Sequence, residues 1–181
     1  PLVATLTFGA AGCDRAADPM PESPMAPSVH VMSAVSHGGA PQLASQLAPV
    51  RALTAKFHNF DYAWDAGWNL QVTPCLENPP LGGMGYHFAN PAFIDGTVTA
   101  LEPEVLVYEP QKNGRLRFVA VEYIVPWAIV PETAPPPVLF GEEFLPNPGA
   151  ELWMMHVWIG AHNPDGLLAT WNPNVNCQFA N

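Results

Sequence analysis

The sequence predicts an α+β domain in which an N-terminal amphipathic helix packs on a curved antiparallel β-sheet. A small cupin-like β-barrel is the alternative. Three observations predict it: apolar residues recur at steps of three or four from Val50 to Trp68, strand-length apolar runs bounded by turn residues follow from Gln71 onward, and 22 prolines in 181 residues interrupt any helical bundle. With 49% of residues hydrophobic and 12% charged, the chain carries enough apolar material for one core and too few charges for a disordered polymer.

The first thirteen residues come before that domain. Pro1 to Gly12 form an apolar run ending in small residues, which reads as the rear half of a signal peptide. Gly9-Ala10-Ala11-Gly12-Cys13 resembles a bacterial lipobox, so Cys13 is the expected lipidation site. Ala10 stands where an aliphatic residue is usual, and cleavage without lipidation is the alternative. Residues 14–48, with five prolines among Ala, Ser and Gly, read as a disordered tether. The expected location is therefore outside the cytoplasm: lipid-anchored to the bacterial membrane, or periplasmic or extracellular. Membrane contact is expected only through the lipid, since no run of eighteen apolar residues exists to span a bilayer. Six Lys and Arg against sixteen Asp and Glu give a formal charge of −10, which repels phosphate backbones and excludes nucleic acid as a partner. With Cys13 assigned, Cys75 and Cys177 remain as an even pair, and in an oxidising compartment they are expected to form a disulfide.

The domain itself is expected over residues 49–181. Pro49 suits the first turn of a helix, and Val50, Leu53, Phe57, Phe60, Trp64 and Trp68 form its buried stripe, with Gly67 at the fraying end. Asn113-Gly114 between two apolar runs predicts a hairpin with a two-residue type I′ turn. That turn sets a register in which Val105 faces Glu122, Val107 faces Ala120 and Tyr108 faces Val119. In the second strand Leu116, Phe118, Ala120, Glu122 and Ile124 then share one face and Val119, Val121, Tyr123 and Val125 the other. Both faces are apolar, so this strand is expected to lie mid-sheet, covered on both sides. Pro126 to Pro148 holds seven prolines in 23 residues and reads as an irregular excursion, pinned by Leu139, Phe140 and Phe144. A second hairpin is expected from Leu152–Ile159, a turn at Asn163-Pro164-Asp165-Gly166 and a return over Leu167–Trp171.

Glu122 is the most informative position. A carboxylate flanked on its own face by Ala120 and Ile124 has to be paired, coordinated or protonated. His156, within Trp153-Met154-Met155-His156-Val157-Trp158, is in the same situation, and His87 lies in a third predicted strand. Two histidines and one carboxylate drawn from three strands suit a divalent transition metal, zinc, iron or copper, with open coordination positions. The alternative is a buried Glu that hydrogen-bonds a Tyr, Trp or His and only organises the core. Glu104, Tyr86 and Tyr123 are the expected supporting residues, although Glu104 should sit opposite Tyr123 and so makes a poor glycosidase pair with Glu122. No H-E-x-x-H, paired C-x-x-C, G-x-S-x-G or phosphate loop is present, and no serine occurs after Pro49. The expected function is an exported cell-envelope protein that binds a small molecule or metal ion in a sheet-lined pocket. A metal-dependent enzyme using the same three residues and a non-catalytic structural or interaction module are the alternatives.

As a set, Gly83-Met84-Gly85-Tyr86-His87-Phe88, Pro103-Glu104-Val105-Leu106-Val107-Tyr108-Glu109-Pro110, Val119-Ala120-Val121-Glu122-Tyr123, His156-Val157-Trp158 and Trp171-Asn172-Pro173 to Cys177 resemble an uncharacterised family of exported bacterial proteins and lipoproteins. The resemblance covers about Ala52 to Cys177 and implies an exported single domain without assigning a mechanism.

Overall fold

The computed structural model describes residues 40–180, and in it the helix starts before Pro49. Helix α1 runs Ala40–Thr54 with Pro49 inside it. The reason is that Leu43 and Leu47 continue the same three-and-four spacing: Leu47 and Val50 are fully buried and Leu43 packs against the core beside them. Residues 40–48, expected to belong to the tether, are therefore part of this helix. The remainder of 14–48, the signal-peptide remnant 1–13 and Cys13 lie outside the described residues.

The helical stripe is broken once. The Thr54 hydroxyl donates back to the Val50 carbonyl at 2.8 Å, a 3-10 turn spans Ala55–His58, and Asn59 becomes extended before helix α2, Phe60–Asp65. The Asn59 side chain caps α2 by accepting the Asp61 amide. This restart shifts the helical phase, so that Ala63 and Trp68 are buried while Trp64 is 47% exposed, which removes Trp64 from the buried stripe. Gly67 takes a positive φ of 106° and closes α2 with paired bonds from Trp68 N to Ala63 O and from Gly67 N to Trp64 O.

The sheet has seven strands: β1 Leu70–Gln71, β2 Leu76–Asn78, β3 Gly82–Ala89, β4 Val105–Pro110, β5 Leu116–Pro126, β8 Leu145–Asn147 and β9 Leu152–Val157. Two short strands between β5 and β8, β6 Val138–Leu139 and β7 Glu142–Glu143, pair only with each other. The order in the main sheet is β1-β3-β4-β5-β9-β8, with β2 also on β3, and every pairing is antiparallel. The path is open, so the fold is α+β with a curved sheet and not a closed barrel. No helix among the described residues is long and apolar enough to cross a membrane.

The central hairpin keeps the expected register near Glu122 by two compensating departures. Only Gly114 has a positive φ, and Gln111 N bonds Arg115 O while Gly114 N bonds Gln111 O. This is a three-residue loop, not a type I′ turn. It puts Tyr108 opposite Phe118 instead of Val119, and a bulge between Val107 and Tyr108 restores Val107 to Ala120 and Val105 to Glu122. Phe118 consequently joins Val121, Tyr123 and Val125 on the helix face, and Val119 joins Ala120 and Ile124 on the other.

Both faces are covered, as a strand apolar on both sides requires. On one, Leu106, Tyr108, Val121, Met155 and Val157 pack against Leu47, Val50, Phe57 and Trp68, and the Tyr108 hydroxyl donates to the Phe57 carbonyl at 2.8 Å. On the other, Val105, Val107, Val119, Ala120, Ile124, Met154 and Trp158 pack beneath the segment after β9, which contributes Ala161, Leu167 and Val175. That segment is not the expected return strand. β8 holds the outer edge of β9 only at Leu152–Met154; after the Asn163–Gly166 turn the chain meets the end of β9 through a bond of 2.9 Å from Trp158 N to Leu167 O and then crosses to β3. There Asn172 and Gly83 exchange two main-chain hydrogen bonds of 3.1 Å. A side chain at Gly83 would meet the Val175 carbonyl at 2.8 Å, so glycine is what admits the crossing backbone. Cys75 and Cys177 form the expected disulfide, with Cα atoms 5.8 Å apart, and the bond suggests a non-cytoplasmic location.

Candidate metal centre

The covered face away from the helices carries His87, Glu122 and His156. Glu122 and His156 are direct cross-strand partners on β5 and β9. His87 lies on β3, with β4 and β5 intervening. Three strand spacings amount to roughly 14 Å in a flat sheet. The two Nε2 atoms are nevertheless 3.3 Å apart, so the sheet curls with this face inward. The residues beneath are small: His87 is opposite Val107, and Val107 opposite Ala120. The Val119 bulge adds bend, and Gly85, at φ 104°, approaches β4 so closely that a Cβ would collide with the Tyr108 carbonyl.

One ligand atom from each of the three residues lies within 4.8 Å of the others. His87 Nε2 is 3.6 Å from Glu122 Oε2, and His156 Nδ1 is 3.6 Å from Glu122 Oε1. The side chains are closed off: His87 is 3% exposed, His156 2% and Glu122 6%. The His156 ring stacks on Trp158 with centroids 6.0 Å apart. His156 Nδ1 is buried without a hydrogen-bond partner, which for an interior polar atom needs an explanation.

Burial sets the charge state. It pushes the Glu122 carboxyl up to about 8, with a further push from Glu104. It pulls His87 down to about 4, against a smaller raising effect from the Gly85 backbone, and His156 to about 3, where His87 adds to the effect. Near neutral pH the ion-free cluster is therefore two neutral imidazoles and a protonated acid, and its 3.6 Å contacts are not ion pairs. A cation would reverse this balance by favouring the carboxylate.

The sequence did not identify Thr73. Its Oγ1 lies 2.9 Å from His87 Nδ1, leaving Nε2 as the nitrogen directed at His156 and Glu122. A partner on the far nitrogen is what fixes a ligating histidine in tautomer and orientation. The expected supporting residues divide. Glu104 is buried, accepts the Ile124 amide at 3.2 Å and acts on Glu122 through charge. By extension of the register Pro103 would lie opposite Ile124, but its carbonyl is taken by the Trp68 indole, so the Glu104 carboxyl serves Ile124 instead. Tyr86 and Tyr123 do not support the cluster. Both pack with the helix-side core, because odd and even positions of a strand face opposite ways, and the Tyr123 hydroxyl donates to the Ala100 carbonyl.

Comparison with protein-family models, with curated proteins and with solved structures finds no match.

Proposed function

We propose that this chain is an exported cell-envelope protein that binds one divalent transition-metal ion at His87, Glu122 and His156. The observation that carries the reading is the 3.3 Å between the two Nε2 atoms. Two nitrogens bound tetrahedrally at about 2.0–2.1 Å to zinc are separated by about 3.3–3.4 Å, the edge of the coordination tetrahedron. The 3.6 Å from His87 Nε2 to Glu122 Oε2 is close to the same edge. Two imidazoles and a carboxylate also satisfy iron or copper, and these two edges at His87 suit zinc. Three protein ligands leave a fourth position for water or a small molecule.

Deep burial supports a held ion more than a centre that turns over substrate. An enzyme would use the same ion to activate water, and would then need a path to the fourth position. The remaining alternative is a core network, since 3.3 Å is also the length of a hydrogen bond between one imidazole N–H and the other ring's free nitrogen. Export, with anchoring through Cys13, rests on the sequence features and on the resemblance to exported bacterial proteins.

Elemental analysis of tag-free protein, oxidised in the presence of zinc, separates these readings. Metal binding predicts about one ion per chain, lost in His87→Ala and His156→Ala variants that retain the fold. Metal-free protein whose thermal stability is unchanged by zinc or by chelation would leave the core-network reading.

A further inference from the structure

The segment after β9 and the disulfide that ends it stand in a specific relation to the cluster. Ala161, Leu167 and Val175 of this segment pack on the sheet face that carries the three groups. The Trp158 indole, stacked on His156, donates to the Ala169 carbonyl of the same segment at 2.6 Å. At its far end Cys177 is bonded to Cys75. Cys75 is two residues from Thr73, whose hydroxyl meets His87 Nδ1. One covalent bond thus ties the segment covering the cluster to the loop that orients one of its histidines.

From this we infer that residues 160–177 are the lid of the metal site and the Cys75–Cys177 disulfide is its latch, so that metal enters and leaves the reduced protein much faster than the oxidised one. The inference rests on the metal-binding reading above. The lid is hydrogen-bonded at its start, where Gly160 N and Ala161 N donate to the Val119 carbonyl, and at its middle, where Trp158 N donates to the Leu167 carbonyl and the Trp158 indole to that of Ala169; further contacts lie at its end, beside the latch. Asn172 pairs with Gly83, the Glu109 carboxylate accepts Asn176 N at 3.0 Å, and Glu77 accepts Cys177 N at 3.1 Å. With the latch closed, these contacts reform before the segment can move away. With it open, residues 172–177 are held by these hydrogen bonds alone, and Thr73 loses the nearby covalent anchor. Unlatching is an ordinary two-electron step. A dithiol, protein or small molecule, attacks the disulfide, the S–S bond breaks, Cys75 and Cys177 each take up one proton, and the dithiol leaves as its own disulfide. Metal would accordingly be loaded before oxidation and retained after it.

The test starts from protein reduced, loaded with zinc and then reoxidised. Release to an excess of chromogenic chelator is followed with and without a phosphine reductant, which cleaves the disulfide without contributing thiol ligands for the metal, while near-ultraviolet circular dichroism reports on the fold. The latch predicts release faster by on the order of tenfold or more after reduction, with the dichroism preserved, as when a restraint on local opening is removed. The Cys75→Ala/Cys177→Ala variant should release at the reduced rate whether or not reductant is present. Equal release rates in protein whose two thiols titrate as free would overturn the inference. So would release that only keeps pace with loss of the dichroism, because the disulfide would then hold the fold and not a lid. Protein that retains no zinc after loading and reoxidation would instead refute the metal reading itself.

Discussion

His87 shows how a single side chain is made useful by its surroundings. Its Nε2 points at the other two groups because Thr73 engages Nδ1. A Thr73→Val substitution keeps the volume and removes the hydroxyl, so metal affinity should fall roughly 10–100-fold while the fold survives. Competition against a chelator of known affinity measures this, and unchanged affinity would show that the hydroxyl orients nothing. The ion-free protein should also have a characteristic pH profile. Below about 6.5 the unfolded chain binds protons at the histidines that His87 and His156 resist until about 4 and 3, so falling pH costs stability there. Glu122 and Glu104, both raised to about 8, hold protons that the unfolded chain releases above about 4.5, so rising pH costs stability from that point up to 8. The two effects oppose each other between about 4.5 and 6.5, and the net loss appears on either side. Denaturant midpoints across pH check the profile. Because an ion requires the Glu122 carboxylate, zinc binding at pH 7 should release a proton, visible as a dependence of calorimetric heat on buffer ionisation enthalpy.

At the scale of the elements, the central hairpin explains why part of the site was legible in the sequence. Glu122 stood out because Ala120 and Ile124 flank it on one face of an 11-residue strand, a pattern that survives any error in the turn. The turn type was in fact different, and the bulge at Val119 cancelled the shift before it reached Glu122. No local rule announces such a bulge, since its position follows from how the sheet must bend. Thr73 was illegible for a similar reason: a polar residue on a short connection acquires its role only through the approach of His87 from β3. The helix was legible in composition but not in its break, because Asn59 restarts the helix and turns Trp64 outward. Asn59→Ala should therefore cost about 1 kcal/mol, measured by urea denaturation, through loss of the α2 cap. At Gly85 a Cβ would press on the Tyr108 carbonyl at a positive φ, so Gly85→Ala should cost at least about 1–3 kcal/mol and loosen the contact of β3 with β4.

Across the whole molecule, the two sheet faces are covered by different means. The helices close one through aromatic packing, with Phe57 against Trp68 and Phe60 against Phe88 and Tyr108. The other face, which holds the polar cluster, is closed by a chain segment without helix or ladder. The sequence signalled a disulfide but not the cover it secures, because Leu167–Trp171 reads as a strand, whereas it meets the end of β9 through the bond from Trp158 N to Leu167 O and then crosses to β3. A loop of about 100 residues closed by the Cys75–Cys177 bond restricts the unfolded chain by about 4–5 kcal/mol in the chain-entropy model. Reduced protein should show a loss of that order in denaturant unfolding, and a loss below about 1 kcal/mol would mean that the covering segment is held without the bond.

The central claim is that the convergence of three strands at His87, Glu122 and His156 exists to hold an ion. Anomalous diffraction from crystals of the zinc-loaded protein tests it most directly. The account predicts one strong peak at coordination distance, about 2.0–2.2 Å, from both Nε2 atoms and a Glu122 oxygen. A direct His87–His156 hydrogen bond with no peak between the rings, in protein shown to be zinc-saturated in solution, would contradict it.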